Sequence, residues 1–151
     1  MQSWTGKLPS VSLANGFPIL IANEALLDEL NRRLKEKGKK PLNMSNYCPN
    51  IIISRYEAFE EDWWKVIHIG GTLFHVMKGC PCCKQSCMDQ ITGEVGKEPL
   101  ETLAEFCAMT KDREQLYFAQ NVMPSANAIG IIIAKGDTIN ILQVGDPVWD
   151  D

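Results

Sequence analysis

The chain has 151 residues, six cysteines and a formal net charge of -4, a size that fits one domain spanning 1–151 with a core that needs no disulfide staples. The acidic balance argues against a general nucleic-acid binder; Lys35, Lys37, Lys39 and Lys40 form a local basic run that reads as a solvated helix end. No basic-then-apolar leader opens the sequence and no apolar stretch approaches the ~20 residues that span a bilayer, so the expectation is a cytoplasmic chain without a membrane partner.

In chain order, Ser10–Leu13 and Pro18–Ile21 are short extended candidates around the turn-prone Ala14-Asn15-Gly16, together a candidate edge hairpin. Asn23 has the side chain of a helix N-cap, and the residues after it place Leu26, Leu27, Leu30 and Leu34 on one face. Acids lie early and bases late, as the helix dipole favours, and Gly38 is suited to the left-handed C-terminal cap. Lys39-Lys40-Pro41 is the one linker-like stretch. Pro49 to Ser54 is apolar and β-branched without alternation, the pattern of a strand covered on both faces.

Trp63–Ile69 and Thr72–Met77 flank Gly70-Gly71, a strong hairpin signal. His68 and His75 lie on its arms, where a strand histidine with an ordinary hydrogen-bonded ring is commoner than a metal ligand. Further on, Asp89 to Glu94 reads as a turn, and Glu98 to Phe106 as a second helix with Pro99 in its first turn and Leu100, Leu103 and Phe106 toward the core. Cys107 reads as a packed small hydrophobe on that helix. Tyr117–Val122, Ala128–Ala134 and Thr138–Val144 complete the strands. Many short strands with two helices suggest an α+β, mainly β architecture: a small barrel or strongly bent sheet with helices outside.

Four of the six cysteines, Cys80, Cys82, Cys83 and Cys87, crowd the run after the second hairpin strand, a placement that puts them on a loop leaving the edge of a sheet. Thiolates are nucleophiles and soft-metal ligands, and Lys78 and Lys84 add positive charge that would raise the thiolate fraction. The crowding is unlike a secreted disulfide framework, so reduced thiols are expected. The four are too close together to converge easily on one zinc, which would need Cys48, Cys107 or a histidine as well. The Cys80 to Cys83 spacing is that of a redox dithiol, but an extra thiol stands between them and no thioredoxin-like pattern precedes them.

Asn43 to Ile53, Ala58-Phe59-Glu60-Glu61-Asp62 with Trp64, and Cys80-Pro81-Cys82-Cys83 with Met88-Asp89 resemble the C-terminal domain of molybdenum cofactor sulfurases, the MOSC domain, in its branch with the amidoxime-reducing components. Phe17 to Ile21, Lys97 to Leu103, Phe118-Ala119-Gln120-Asn121 and Val144 to Val148 extend the likeness over nearly the whole chain. The resemblance implies a β-barrel with peripheral helices that binds molybdenum cofactor. It implies Cys83 as the molybdenum ligand and reacting residue, and Asn50, Gln120 and Asn121 in contact with cofactor or substrate. Reduction of N-hydroxylated compounds and sulfur carriage by Cys83 are the activities it implies, and pyridoxal phosphate binding is a family-level term. The implied partners are an electron or sulfur donor protein and an N-terminal MOSC-associated β-rich domain.

Two positions depart from that pattern. Where family members carry arginines for the cofactor's phosphate, this chain has Cys48 and Cys82. Two bidentate donors are thereby lost. A thiol-lined pocket of Cys48, Cys80, Cys82 and Cys83 would instead suit a soft metal or persulfide sulfur. The alternative from another class is a non-catalytic, thiol-rich binding module that holds zinc.

Overall fold

A computed structural model describes residues 17–82, 84–89, 91–106 and 116–148, with the side chains of Lys84 and Gln85 outside the description. Six strands, β1 (Ile19–Asn23), β2 (Ile51–Ile53), β3 (Trp64–Ile69), β4 (Thr72–Pro81), β5 (Tyr117–Pro124) and β6 (Ile139–Val144), form one sheet in the order β2-β1-β5-β4-β3-β6. Among the described residues, two α-helices, α1 (Glu24–Glu36) and α2 (Leu100–Phe106), accompany it. The architecture is α+β and mainly β, with the sheet curled into a half-barrel.

α1 forms where the leucine spacing predicts. Asn23 Oδ1 accepts from the Ala25 amide at 3.0 Å as the N-cap, and Leu26, Leu30 and Leu34 are buried. Its other end closes as a Schellman motif: Gly38 has φ +68, its amide donates to the Lys35 carbonyl, and that of Lys39 donates to Leu34. The helix leucines meet Leu103 of α2 and Phe118 and Ala119 of β5 in one apolar cluster. A second cluster joins Ile21, Ile53, Trp64, Ile67, Phe74 and Val122. Leu100 and Phe106 pack against the first cluster as expected.

The β3–β4 hairpin turns on Gly70 and Gly71, both with positive φ, the backbone that a two-residue type I′ turn requires. Gly70 is also sterically fixed, since a Cβ there would lie 2.7 Å from Ile133 Cγ2.

Five expectations are corrected or fall outside the description. β2 is not covered on both faces: among the described residues it pairs with β1 alone, in parallel, and Ile52 is 50% exposed at the sheet edge. Ala128–Ala134 is not a strand. Ala126–Ala128 is a 3₁₀ turn and Gly130 has φ +85, so the Ile-rich run cannot extend, and β6 pairs directly with β3. Pro18–Ile21 belongs to β1, which lies inside the sheet between β2 and β5, while Ser10–Leu13 lies outside the described residues. Cys107 also lies outside them. The cysteine run does not leave a sheet edge either: β4 is interior and continues through Cys80 to Pro81.

Candidate functional site

The candidate site lies where β4 gives way to the cysteine run. β4 and β5 pair antiparallel with Gly79 opposite Gln120 and Cys80 opposite Ala119. The Gly79 amide donates to the Val148 carbonyl at 2.9 Å, and the Cys82 amide donates to Leu116 at 2.6 Å, so the chain stays pinned as it leaves the ladder. A 3₁₀ turn follows at Lys84–Cys87 and packs against α2 and against a second such turn at Met44–Tyr47. Buried Cys87 directs its thiol to the Lys97 carbonyl at 3.6 Å. A Met88–Val95 bridge then closes the excursion, and within it Asp89 Oδ1 accepts from the Ile91 and Thr92 amides, which holds its carboxyl below the usual range.

The Met44–Tyr47 turn delivers Cys48. The Tyr47 ring stacks on Phe118 of β5 with centroids 3.7 Å apart. Cys48 follows in the left-handed region with φ +49, exposed, its thiol directed to the Ser45 carbonyl at 3.3 Å. Because the two 3₁₀ turns touch, Cys48 and the cysteine run belong to one neighbourhood at the level of elements. Cys80 and Cys82 are half-buried and pack against the apolar cluster of the helix side. Cys83, the centre of the expected site, lies outside the described residues.

The expected amide contacts have structural employment. Asn50 Oδ1 accepts from the Leu20 amide at 2.7 Å while its own amide donates to the Leu20 carbonyl at 2.9 Å, a two-point clamp that starts the β1–β2 pairing. Asn121 Nδ2 reaches the Gly79 carbonyl at 3.4 Å. Gln120 is buried and donates from Nε2 to Asp62 Oδ1 at 2.6 Å.

Asp62 and its neighbour Glu61 are residues to which the sequence reading assigned no role. They sit in a 3₁₀ turn, Glu60–Trp63. Glu61 is only 1% exposed, and its Oε2 accepts from Asn23 Nδ2 at 2.7 Å. Burial pushes its carboxyl up to about 7, Asn23 pulls the other way, and Asp62 and Glu60 push it further up. Burial likewise raises Asp62 to about 6 against the opposing pull of Gln120. Their signal in the sequence was the run of three acids, Glu60, Glu61 and Asp62, between Phe59 and the paired tryptophans Trp63 and Trp64.

Among the described residues, no three His, Cys, Asp or Glu side chains converge on a position that could hold a metal ion. Zinc therefore gains no support, and His68 and His75 stand as strand residues. An open groove of about 620 Å³ lies elsewhere, between α1 and the 57–59 segment, and none of the predicted site residues lines it. Among the described residues, no helix is long and apolar enough to cross a membrane.

A curled, mainly β sheet with a thiol-rich excursion from the end of β4 is the arrangement expected of a MOSC domain, and the family's model, described as "MOSC domain", matches residues 9–149. The chain belongs to the MOSC domain family. It is similar to mitochondrial amidoxime reducing component 2 of Bos taurus, 35% identical over 133 residues that cover 87% of this chain and 36% of that protein. It is similar too to mitochondrial amidoxime-reducing component 1 of Homo sapiens, 31% identical over 140 residues, 92% of this chain and 38% of that protein. A molybdenum cofactor sulfurase of Oryza sativa subsp. japonica is 34% identical over 103 residues, 64% of this chain and 12% of that protein. The chain thus spans little more than a third of the length of the amidoxime reducing components it matches.

Among the described site residues, the donors suit one end of a molybdenum cofactor better than the other. Thiolates suit the metal. The anionic end needs charge-assisted donors, but exposed Cys48 is a thiol turned to a carbonyl, Cys82 packs against apolar side chains, and Asn50 Oδ1 and Gln120 Nε2 are committed within the fold.

Proposed function

We propose that this chain is a molybdenum-cofactor-associated domain in which the run from Cys80 to Cys83 presents the reacting thiolate, with Cys83 as the residue that holds molybdenum or sulfur. What supports the reading most is the coincidence of MOSC membership with four cysteines at the end of β4. Relatives named amidoxime reducing components make N-hydroxylated compounds the proposed substrate class, and an electron donor protein the proposed partner. The thiols at Cys48 and Cys82 favour a second reading, in which Cys83 carries persulfide sulfur from a sulfur donor protein and Cys80 or Cys82 resolves it. Either role calls for reduced thiols, which goes with a cytoplasmic location.

Metal analysis and cyanide-labile sulfur, measured on the chain purified from cells that make the cofactor, separate the two. Substoichiometric molybdenum retained by the native chain and lost in Cys83→Ala supports the reductase reading. Labile sulfur lost in the same variant, without molybdenum, supports the carrier. Retention of both in Cys83→Ala would reject the assignment of Cys83.

A further inference from the structure

Glu61 and Asp62 turn side by side onto the sheet, and each meets a carboxamide: Asn23 Nδ2 donates to Glu61 Oε2 at 2.7 Å, and Gln120 Nε2 donates to Asp62 Oδ1 at 2.6 Å. The charged neighbours acting on Glu61 are Asp62 and Glu60, both acids. Asp62 is acted on by burial and by Gln120. Among the described residues, then, no lysine or arginine compensates this pair, and Glu61 Oε1 is buried without a hydrogen-bond partner. Gln120 is also half of the Gly79–Gln120 rung, and the next residue of β4 is Cys80.

We propose that Asp62 is a positioning residue for the cysteine run: through Gln120 it fixes the Gly79–Gln120 rung, one residue before Cys80 in β4, and its protonation state sets how firmly. The inference deepens the reading of this run as the reacting site. Its physical basis is the cost of charging a carboxyl buried against the sheet with no cation to offset it. When Asp62 is neutral, the turn sits against β5 at little electrostatic cost. When it ionises, the carboxylate is drawn toward water, and the Gln120 side chain that holds it follows. The strand pair beneath the cysteines then loosens.

The test follows the Gly79 backbone amide and the Gln120 side-chain amide by NMR in the full chain, together with iodoacetamide labelling of the loop peptide, from about pH 5 to about pH 8. In the native chain, both amides and the labelling rate should share a midpoint at about 6. Asp62→Asn keeps an acceptor for Gln120 but cannot ionise, so the shared midpoint should vanish and labelling should follow thiolate formation alone. Asp62→Ala removes the acceptor, and its loop should label faster than the native chain at the acid end. An unchanged amide titration and labelling profile in Asp62→Asn overturns the inference, even if Asp62→Ala fails to fold. Neither readout needs a bound cofactor: an error in assigning Cys83 would leave the midpoint intact, whereas an error in this inference would remove it from a chain that still loads.

Discussion

Asn23 holds Glu61 while it starts α1: one carboxamide caps the helix through Oδ1 and, through Nδ2, reaches both the Glu61 carboxyl at 2.7 Å and the Glu57 carbonyl at 2.8 Å. Helix, sheet and the 57–63 segment therefore share one buried side chain. Asn23→Ala should lose the cap, about 1 kcal/mol, and leave buried acceptors unsatisfied at about 1 to 3 kcal/mol. A loss of about 2 to 4 kcal/mol in denaturant unfolding is expected. A loss below about 1 kcal/mol would mean that water replaces the carboxamide.

Glu61 should make stability depend on pH in the direction opposite to a salt-bridged acid. Its folded value, about 7, lies above the unfolded value, so the folded state binds the proton more tightly. The stability this confers is full below about pH 4 and is lost as pH rises through about 7. Relative to the native chain, Glu61→Gln should gain stability between pH 5 and pH 8, on the order of 2 kcal/mol. Parallel curves for the two chains would contradict the burial of an ionisable Glu61.

The glycines of the β3–β4 turn should differ. Both have positive φ, so an alanine at either is strained by about 1 kcal/mol. At Gly71 a Cβ meets nothing within 4 Å, whereas at Gly70 it meets Ile133 Cγ2 at 2.7 Å and Asp137 Oδ2 at 2.8 Å. Gly70→Ala should therefore lower the melting temperature more than Gly71→Ala. Equal effects would mean that the 133–137 segment yields freely.

Leu30, fully buried between α1 and the sheet, should cost about 2 to 5 kcal/mol on truncation to alanine. Leu142→Ala, on the exposed edge strand β6, should stay within about 0.5 kcal/mol. Similar losses at the two positions, measured by denaturant unfolding, would place the core elsewhere.

These contrasts mirror what could be read in the residues. α1 and the β3–β4 hairpin were legible because a repeat of 3.6, an Asn cap and a Gly-Gly pair each act locally. β2 was not, since Ile51-Ile52-Ile53 reads the same at a sheet edge as in its middle, and only pairing partners distinguish the two. The Ile129 to Ile133 run has strand composition, but a 3₁₀ turn and Gly130 break its path. In the site, the cysteine run announced itself by composition. The tasks of Asn50 and Gln120 did not, because their partners, Leu20 and Asp62, are distant in sequence and meet them only in the folded sheet.

The claim that Cys83 anchors the cofactor while Cys48 and Cys82 fail to hold its anionic end is tested most directly by molybdenum content in an arginine-restored chain. Each charge-assisted donor contributes about 1.5 to 3 kcal/mol, so Cys48→Arg with Cys82→Arg should raise affinity by about 100-fold or more if the two roughly add. The expected result is low molybdenum in the native chain, a large rise in the double variant, and loss of that gain when Cys83→Ala is added. Stoichiometric molybdenum in the native chain, or retention of the metal after Cys83→Ala, would contradict it.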